Sequence, residues 1–183
     1  MGDAVIMKLV DAEINRFDWA GMRCACGQDA RHLPSRMRTA LQSGERRAVE
    51  ESINSHAMMS TYIHEPAVPV TSVLLAALAD DIGPESRLGA LDMVQFLVAP
   101  DGQSFDAANA GRDLIEECIE VAREGIWLLY QEIFSGRSIG AAAIAFEILA
   151  VIETAIKRLE GARDAAGTLL PEDLRQWVPD DDD

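Results

Sequence analysis

Residues 33–57 read LPSRMRTALQSGERRAVEESINSHA, and the fold class is decided there. Leu33, Met37, Ala40 and Leu41 recur at i, i+4, i+7 and i+8, the spacing that lines one face of an α-helix. Pro34 sits in the first turn, where a missing N–H costs nothing, and Gly44 ends the run. A second helix is expected at once, from Glu45 to Ala57, with Ala48, Val49, Ile53 and Ala57 facing inward. Two helices joined by so short a turn must lie antiparallel.

The same pattern extends in both directions. Upstream, Asp3 to Asn15 is a short candidate helix through Val5, Ile6, Leu9, Val10 and Ile14, and Phe17 to Gln28 reads as a connection. Downstream, Met58 to Val68 reads as a loop that packs against the body. Val70, Val73, Leu74, Ala77 and Leu78 give a helix over 68–80, and Gly83-Pro84 stops it and starts another over 84–98. Pro100 to Ser104 breaks the chain, and residues 100–115 read as an insertion. One long helix is expected from Asp106 to Phe134, then, after Ser135-Gly136, another from Arg137 to Leu159 that is apolar around most of its circumference. A helix of that kind is normally sandwiched between others. Thr168 to Val178 has room for one or two further turns, with Pro171 at a helix start and Trp177 as a docking residue. No run shows convincing β alternation, so essentially no sheet is expected.

The pairs 33–43 with 45–57, 68–80 with 84–98, and the 120s to 134 with 137–159 suggest a repeat. Arg47 and Arg87 each stand two residues after a Glu, Glu45 and Glu85, at the start of a second helix, about one period of 40 residues apart. Helix pairs at such a period are the signature of an α-solenoid. The expected fold is therefore all-α: a short right-handed α-solenoid of HEAT-like antiparallel helix pairs, in one domain over residues 1–178. Residues 179–183 form an acidic tail expected to be disordered.

The 183 residues are 49% hydrophobic and 26% charged, a globular composition. Lys and Arg number 16 against 31 Asp and Glu, a net charge of −15. That argues against a nucleic-acid binder, whose phosphate contacts need a basic surface. The charge is uneven. Residues 23–47 hold six arginines against Asp29 and Glu45, hence +4, which leaves −15 − 4 = −19 elsewhere. Such a division serves either as a steering dipole or as an intramolecular match. The N-terminus lacks the features of a signal peptide, the most apolar stretch is too short for a bilayer and contains Glu147, and no membrane association is expected. Three cysteines, two of them only two positions apart, point to a reduced, cytoplasmic protein.

Catalytic signatures are missing: no G-x-S-x-G, P-loop, G-x-G-x-x-G or H-E-x-x-H is present. Cys24, Cys26, His32 and Cys118 invite a zinc reading, but C-x-C with a His six residues on is not a standard spacing and no second pair follows. These thiols are therefore expected to be buried or turn residues, with neither metal nor cofactor. His56, His64 and Glu65 flank one loop without ordered spacing, and His56 is placed to cap the last carbonyls of a helix. Glu116, Glu120 and Glu124 form an i, i+4, i+8 stripe beside Asp113 and Glu117, but the Glu-x-x-His pairs of a helical di-metal centre do not occur.

Trp19-Ala-Gly-Met-Arg-Cys-Ala-Cys-Gly27, Leu33-Pro34 and Leu41-Gln-Ser-Gly-Glu45 together resemble the opening of small bacterial HEAT-repeat proteins. The resemblance continues at His56, Thr61-Tyr62 and Ala67-Val68-Pro69, and again at Glu124-Gly-Ile-Trp-Leu-Leu129 before the Ala-rich helix from Gly140, so that it covers about residues 17–155. This chain carries Cys24 and Cys26 where members often carry His and Tyr, and Met58-Met59-Ser60 where a Gln-Gly-Thr-like turn is usual. A solenoid of this kind offers an extended concave face to a macromolecule.

The functional expectation is a non-enzymatic protein-binding module, favoured as an acidic inhibitor of the immunity type that neutralises a basic protein such as a toxin. Its alternatives are a HEAT-like nucleic-acid enzyme of the alkylbase glycosylase type and a regulatory scaffold. The expected contact residues are Glu50, Glu51, Asp92, Gln95, Glu147 and Glu153 on second helices, Glu116, Glu120 and Glu124 on the long helix, and Tyr62 and His64 in the loop.

Overall fold

A computed structural model describes residues 7–60, 62–99, 103–104 and 111–179. Ten α-helices carry most of it: α1 (Lys8–Arg16), α2 (Leu33–Ser43), α3 (Arg46–Ile53), α4 (Ala67–Ala79), α5 (Pro84–Leu97), α6 (Leu114–Glu124), α7 (Ile126–Phe134), α8 (Ile139–Ile152), α9 (Ile156–Ala166) and α10 (Glu172–Arg175). The fold is all-α. Helix α2 packs on α3, α4 on α5 and α7 on α8. Across the pairs, α4 lies between α1 and α6, and α5 lies between α3 and α8.

One continuous apolar cluster runs from Met7 to Leu170 through these contacts. Leu41, Leu74, Leu78, Leu91, Ile119, Leu129 and Phe146 are all buried in it, as their helical spacing requires. In α4, ten of thirteen residues are buried, so the helix is enclosed on nearly every side. Close approach of α3 and α5 depends on Gly89: a Cβ there would stand 2.7 Å from the Arg46 carbonyl oxygen. Gly44 takes the left-handed conformation at the end of α2 (φ +74°), which glycine adopts at no steric cost.

The helix ends are capped from near and far. Asp113 accepts from the Ile115 and Glu116 N–H groups at the start of α6, and Ser138 from Ala141 at the start of α8. Asp80, at the end of α4, accepts from Leu9 and Val10 and so holds the first turn of α1 from 70 residues away. Between the helix pairs, Arg87 is buried. It donates to the Leu78 and Asp80 carbonyls and forms a 2.6 Å ion pair with the equally buried Glu132. Trp177 docks edge-on against Phe146 with ring centres 5.5 Å apart.

Several expectations need correction. The long helix expected to Phe134 is broken at Gly125, which abuts the Leu75 side chain, where an added Cβ would come within 3.0 Å. Apolar spacing continues through the break, so periodicity alone does not reveal it; Ile126 there is only partly buried. The helix expected over 137–159 stops at Ile152 and restarts at Ile156. Glu153 causes the break: its carboxylate caps the Ala155 N–H, and Arg123 takes the Ile152 carbonyl. Helix α3 ends at Ile53 rather than Ala57.

A small sheet is also present, contrary to expectation. Strand β1 (Met58–Met59) pairs antiparallel with β2 (Tyr62–Ile63), and β2 pairs parallel with β3 (Gln103–Ser104). Strands of two residues are too short for any alternation to show. The expected helical residues Val5 and Ile6, the residue Thr61, most of the 100–115 insertion, the 106–110 start of the long helix and the tail 180–183 lie outside the described residues.

Candidate functional site

The hairpin around Cys24 is built from backbone bonds. Cys24 N–H donates to Gln28, Gly27 N–H to Cys24, and Ala30 N–H to Met22, with Arg23 bridged to Asp29. Gly27 has φ +85°, the left-handed turn that lets the chain reverse within so few residues. From this hairpin both Cys24 and Cys26 project toward the end of the α2–α3 pair. A further bond locks it there: Ala25 N–H donates to the His56 carbonyl at 2.8 Å. Arg23 N–H donates to the Glu65 carboxylate at 2.6 Å, which ties the hairpin to the loop before α4.

His32 precedes α2 and His56 follows α3. Each is twelve positions from Gly44, on opposite sides of the turn. An antiparallel helix pair brings positions equidistant from its turn together, and the two imidazoles meet here. His32 Nε2 lies 3.0 Å from His56 Nδ1. Cys24 Sγ lies 3.2 Å from His56 Nδ1 and 3.7 Å from His32 Nε2. Cys26 Sγ lies 3.2 Å from Cys24 Sγ and 3.9 Å from His32 Nε2. All four donor atoms lie within 4.8 Å of one another. The residue before His56, Ser55, has φ +64°, a left-handed conformation that costs a non-glycine residue about 1–2 kcal/mol. Such strain is characteristic of positions where a side chain must be aimed.

Burial pushes the Cys24 thiol up to about 11. Burial, with Arg36 and His32 nearby, moves His56 below its ordinary value and favours the neutral ring. The His56 ring points at Cys24 and His32, so its expected use as a cap on helix carbonyls is corrected. Cys118 is enclosed against α4, its thiol pushed up to about 12 by burial, and it takes no part in the cluster. Cys24, Cys26 and His32 thus come together, although their spacing argues against a grouped site, and they are joined not by Cys118 but by His56, which the sequence sets apart with His64 and Glu65. The signal that links His56 to them is its symmetry with His32 about Gly44.

The expected contact residues fall into two groups. Asp92 is buried and bound by Arg46 at 2.6 Å; burial raises its carboxyl above the usual range, with Arg46 opposing. Glu153 is also buried. It accepts from the Tyr130 hydroxyl and from Arg158. Burial opposes its ionisation, but Ala155 N–H, Tyr130 and Arg158 outweigh it and hold the carboxyl below its ordinary value. Glu147 accepts from Gln95 at 2.7 Å, and Glu50 and Glu51 pair with Arg46 and Arg47 on their own helix. Asp92 and Glu153 are thus corrected from exposed carboxylates to internal fasteners, because Asp92 faces Arg46 across the packing and Glu153 is held between Tyr130 and Arg158.

Glu116, Glu120 and Glu124 are exposed on α6 as expected, and Glu116 pairs with Arg123. Glu120 and Glu124 have no ion-pair partner among the described residues. Beyond them, Trp127 is 66% exposed and Phe134 is 47% exposed. With Tyr130, Gln131 and Arg158 they line one shallow groove of about 400 Å³ between α7 and α9, and Arg158 lies 5.1 Å from the Trp127 ring centre. Tyr62 is exposed on β2, and His64 is half-buried in the following loop, where burial lowers its pKa against the opposing effect of Glu65.

Compared with known protein families, with characterised proteins and with solved structures, the chain matches none. No helix among the described residues is long and apolar enough to cross a membrane.

Proposed function

We propose that this chain is a non-enzymatic, cytoplasmic protein-binding module that contacts a basic protein through the α6–α7 edge. The observation that carries the reading is the exposure of Trp127 and Phe134 in one groove with Arg158. Exposed Trp and Arg are the residue types that dominate binding energy at protein interfaces. Glu120 and Glu124, one to two turns before Trp127, supply carboxylates that nothing within the described residues neutralises. Opposite charge across an interface steers association and excludes wrong partners. The net charge of −15 acts in the same direction.

Within that class, the reading extends to an inhibitor of the immunity type, whose target is a cationic protein such as a toxin. A solenoid course of the helix pairs fits the contacts of α4 with α1 and α6 and of α5 with α3 and α8. The glycosylase-like alternative requires arginines available to phosphate. All the arginines except Arg23, Arg36 and Arg175 have a carboxylate within reach among the described residues, which favours the protein partner. The basic segment 23–47 is in this sense largely an intramolecular match.

Recovery from native lysate, with identification by mass spectrometry, tests this when run in parallel for the parent, Trp127→Ala/Phe134→Ala and Glu120→Lys/Glu124→Lys. The expected result is one strongly basic protein held by the parent and lost from both variants, with association that slows from low to high salt. An acidic partner, equal retention by all three chains, or no protein specific to the parent would overturn the reading.

A further inference from the structure

We infer that Cys24, Cys26, His32 and His56 form a structural zinc site that fastens the 22–30 hairpin to the open end of the α2–α3 pair. The inference is independent of the partner surface on α6 and α7.

Geometry carries it. With metal–sulfur bonds of about 2.3 Å and metal–nitrogen bonds of about 2.0–2.1 Å, the edges of a tetrahedral two-sulfur, two-nitrogen site are about 3.3–3.8 Å. Five donor–donor distances here run from 3.0 to 3.9 Å, and the full set closes within 4.8 Å. A single ion therefore fits at the centre with shifts of a few tenths of an ångström on most edges. The donors come from three separate places in the sequence: a hairpin, the residue before α2 and a residue just after α3. Convergence of two thiols and two imidazoles from three segments has no use in apolar packing, and hydrogen bonding alone serves it poorly, because thiols are weak donors and acceptors.

The donor type selects the ion. Two thiolates with two imidazoles in tetrahedral array suit zinc, whereas magnesium and calcium need oxygen ligands. Four protein ligands leave no open position for substrate water, so the site is structural rather than catalytic. On binding, each thiol gives its proton to the buffer, two metal–sulfur and two metal–nitrogen bonds form, and nothing is oxidised or reduced. His32 and His56 bind through Nε2 and Nδ1 respectively, the atoms that already face the sulfurs. Cys26 and the rings of His32 and His56 retain some solvent exposure, which leaves the ion a path in.

The test uses the full chain, purified under reducing conditions, stripped with a chelator and reloaded with zinc or cobalt(II). One equivalent of zinc is expected, and cobalt should give the intense visible bands of a tetrahedral ion with sulfur-to-metal charge transfer. Cys26→Ser alters an exposed residue and is expected to fold. It should weaken zinc binding by more than the about 10–100-fold that losing an outer-shell partner costs. Cys118→Ser should bind as the parent does. Overturning results are a parent that retains no zinc, a weak octahedral cobalt spectrum, equal affinity of the Cys26→Ser variant, or a Cys24–Cys26 disulfide that persists in reductant and excludes the metal.

Discussion

The two halves of the fold are held in different ways. In α4, α5 and α8, stability comes mainly from area: Leu74, Leu91, Phe146 and Leu149 are fully enclosed, and the buried charges of α5 are each paired, Arg87 with Glu132 of α7 and Asp92 with Arg46 of α3. From Trp19 to Glu65 the chain is largely turns and short helices, and its closure relies on specific contacts. The hairpin bonds, the Arg23–Glu65 contact, the two-residue strands and the Cys–His cluster all lie there. Non-directional burial tolerates many sequences, whereas donor clusters fail if one atom is missing. The difference separates what apolar spacing can predict from what it cannot.

The comparison breaks most visibly at the buried ion pair. Glu132→Ala leaves the Arg87 guanidinium enclosed without its counter-charge, and the expected loss is about 3–5 kcal/mol in chemical denaturation. A loss near zero would mean that the carbonyls of Leu78 and Asp80 satisfy Arg87 unaided. Leu74→Ala, in the most enclosed helix, should cost about 2–5 kcal/mol. A melting temperature within about a degree of the parent would move the centre of the core away from α4.

A smaller effect is expected with pH. The Glu153 carboxyl is held below its ordinary value, so the folded state binds its proton less readily than the unfolded chain does. The stability it contributes is complete above the ordinary glutamate value of 4.5 and is lost as pH falls through the lowered one. Urea midpoints followed downward from pH 5.5 should therefore fall more steeply for the parent than for Glu153→Gln. Parallel curves would show that Arg158 and Tyr130 do not hold this carboxylate in solution. The smallest effect belongs to the exposed Arg47–Glu51 pair, whose side chains are 85% and 61% exposed. Glu51→Ala should change stability by less than about 0.5 kcal/mol, against the several expected at Glu132.

Most helices were legible in the sequence because packing along one face leaves a period, as at Leu33, Met37, Ala40 and Leu41. The breaks at Gly125 and Glu153 were not, because Ile126 and Ile156 resume an apolar pattern across them. There a side chain from another element decides: Leu75 against Gly125, and Arg123 on the Ile152 carbonyl. The paired strands are too short to leave a period at all. Of the expected contact residues, Glu120 and Glu124 stay open on the surface, but Asp92 and Glu153 do not, since Arg46 and Tyr130, which reach them across the helix packing, stand far from them in the sequence. The Cys–His cluster was visible in part. Cys24, Cys26 and His32 stand close in sequence, and His56 enters only once the α2–α3 pair is folded back on itself about Gly44.

Amide hydrogen exchange on the full reduced chain, with and without one equivalent of zinc, tests most directly whether the 19–65 region is held by a metal-centred knot. Zinc should slow exchange across 22–30 and 54–58, where Cys24, Ala25, Gly27 and His56 donate their backbone bonds, and leave α4 and α5 as they were. Unchanged exchange across 22–30, or equal slowing in α4 and α5, would contradict it.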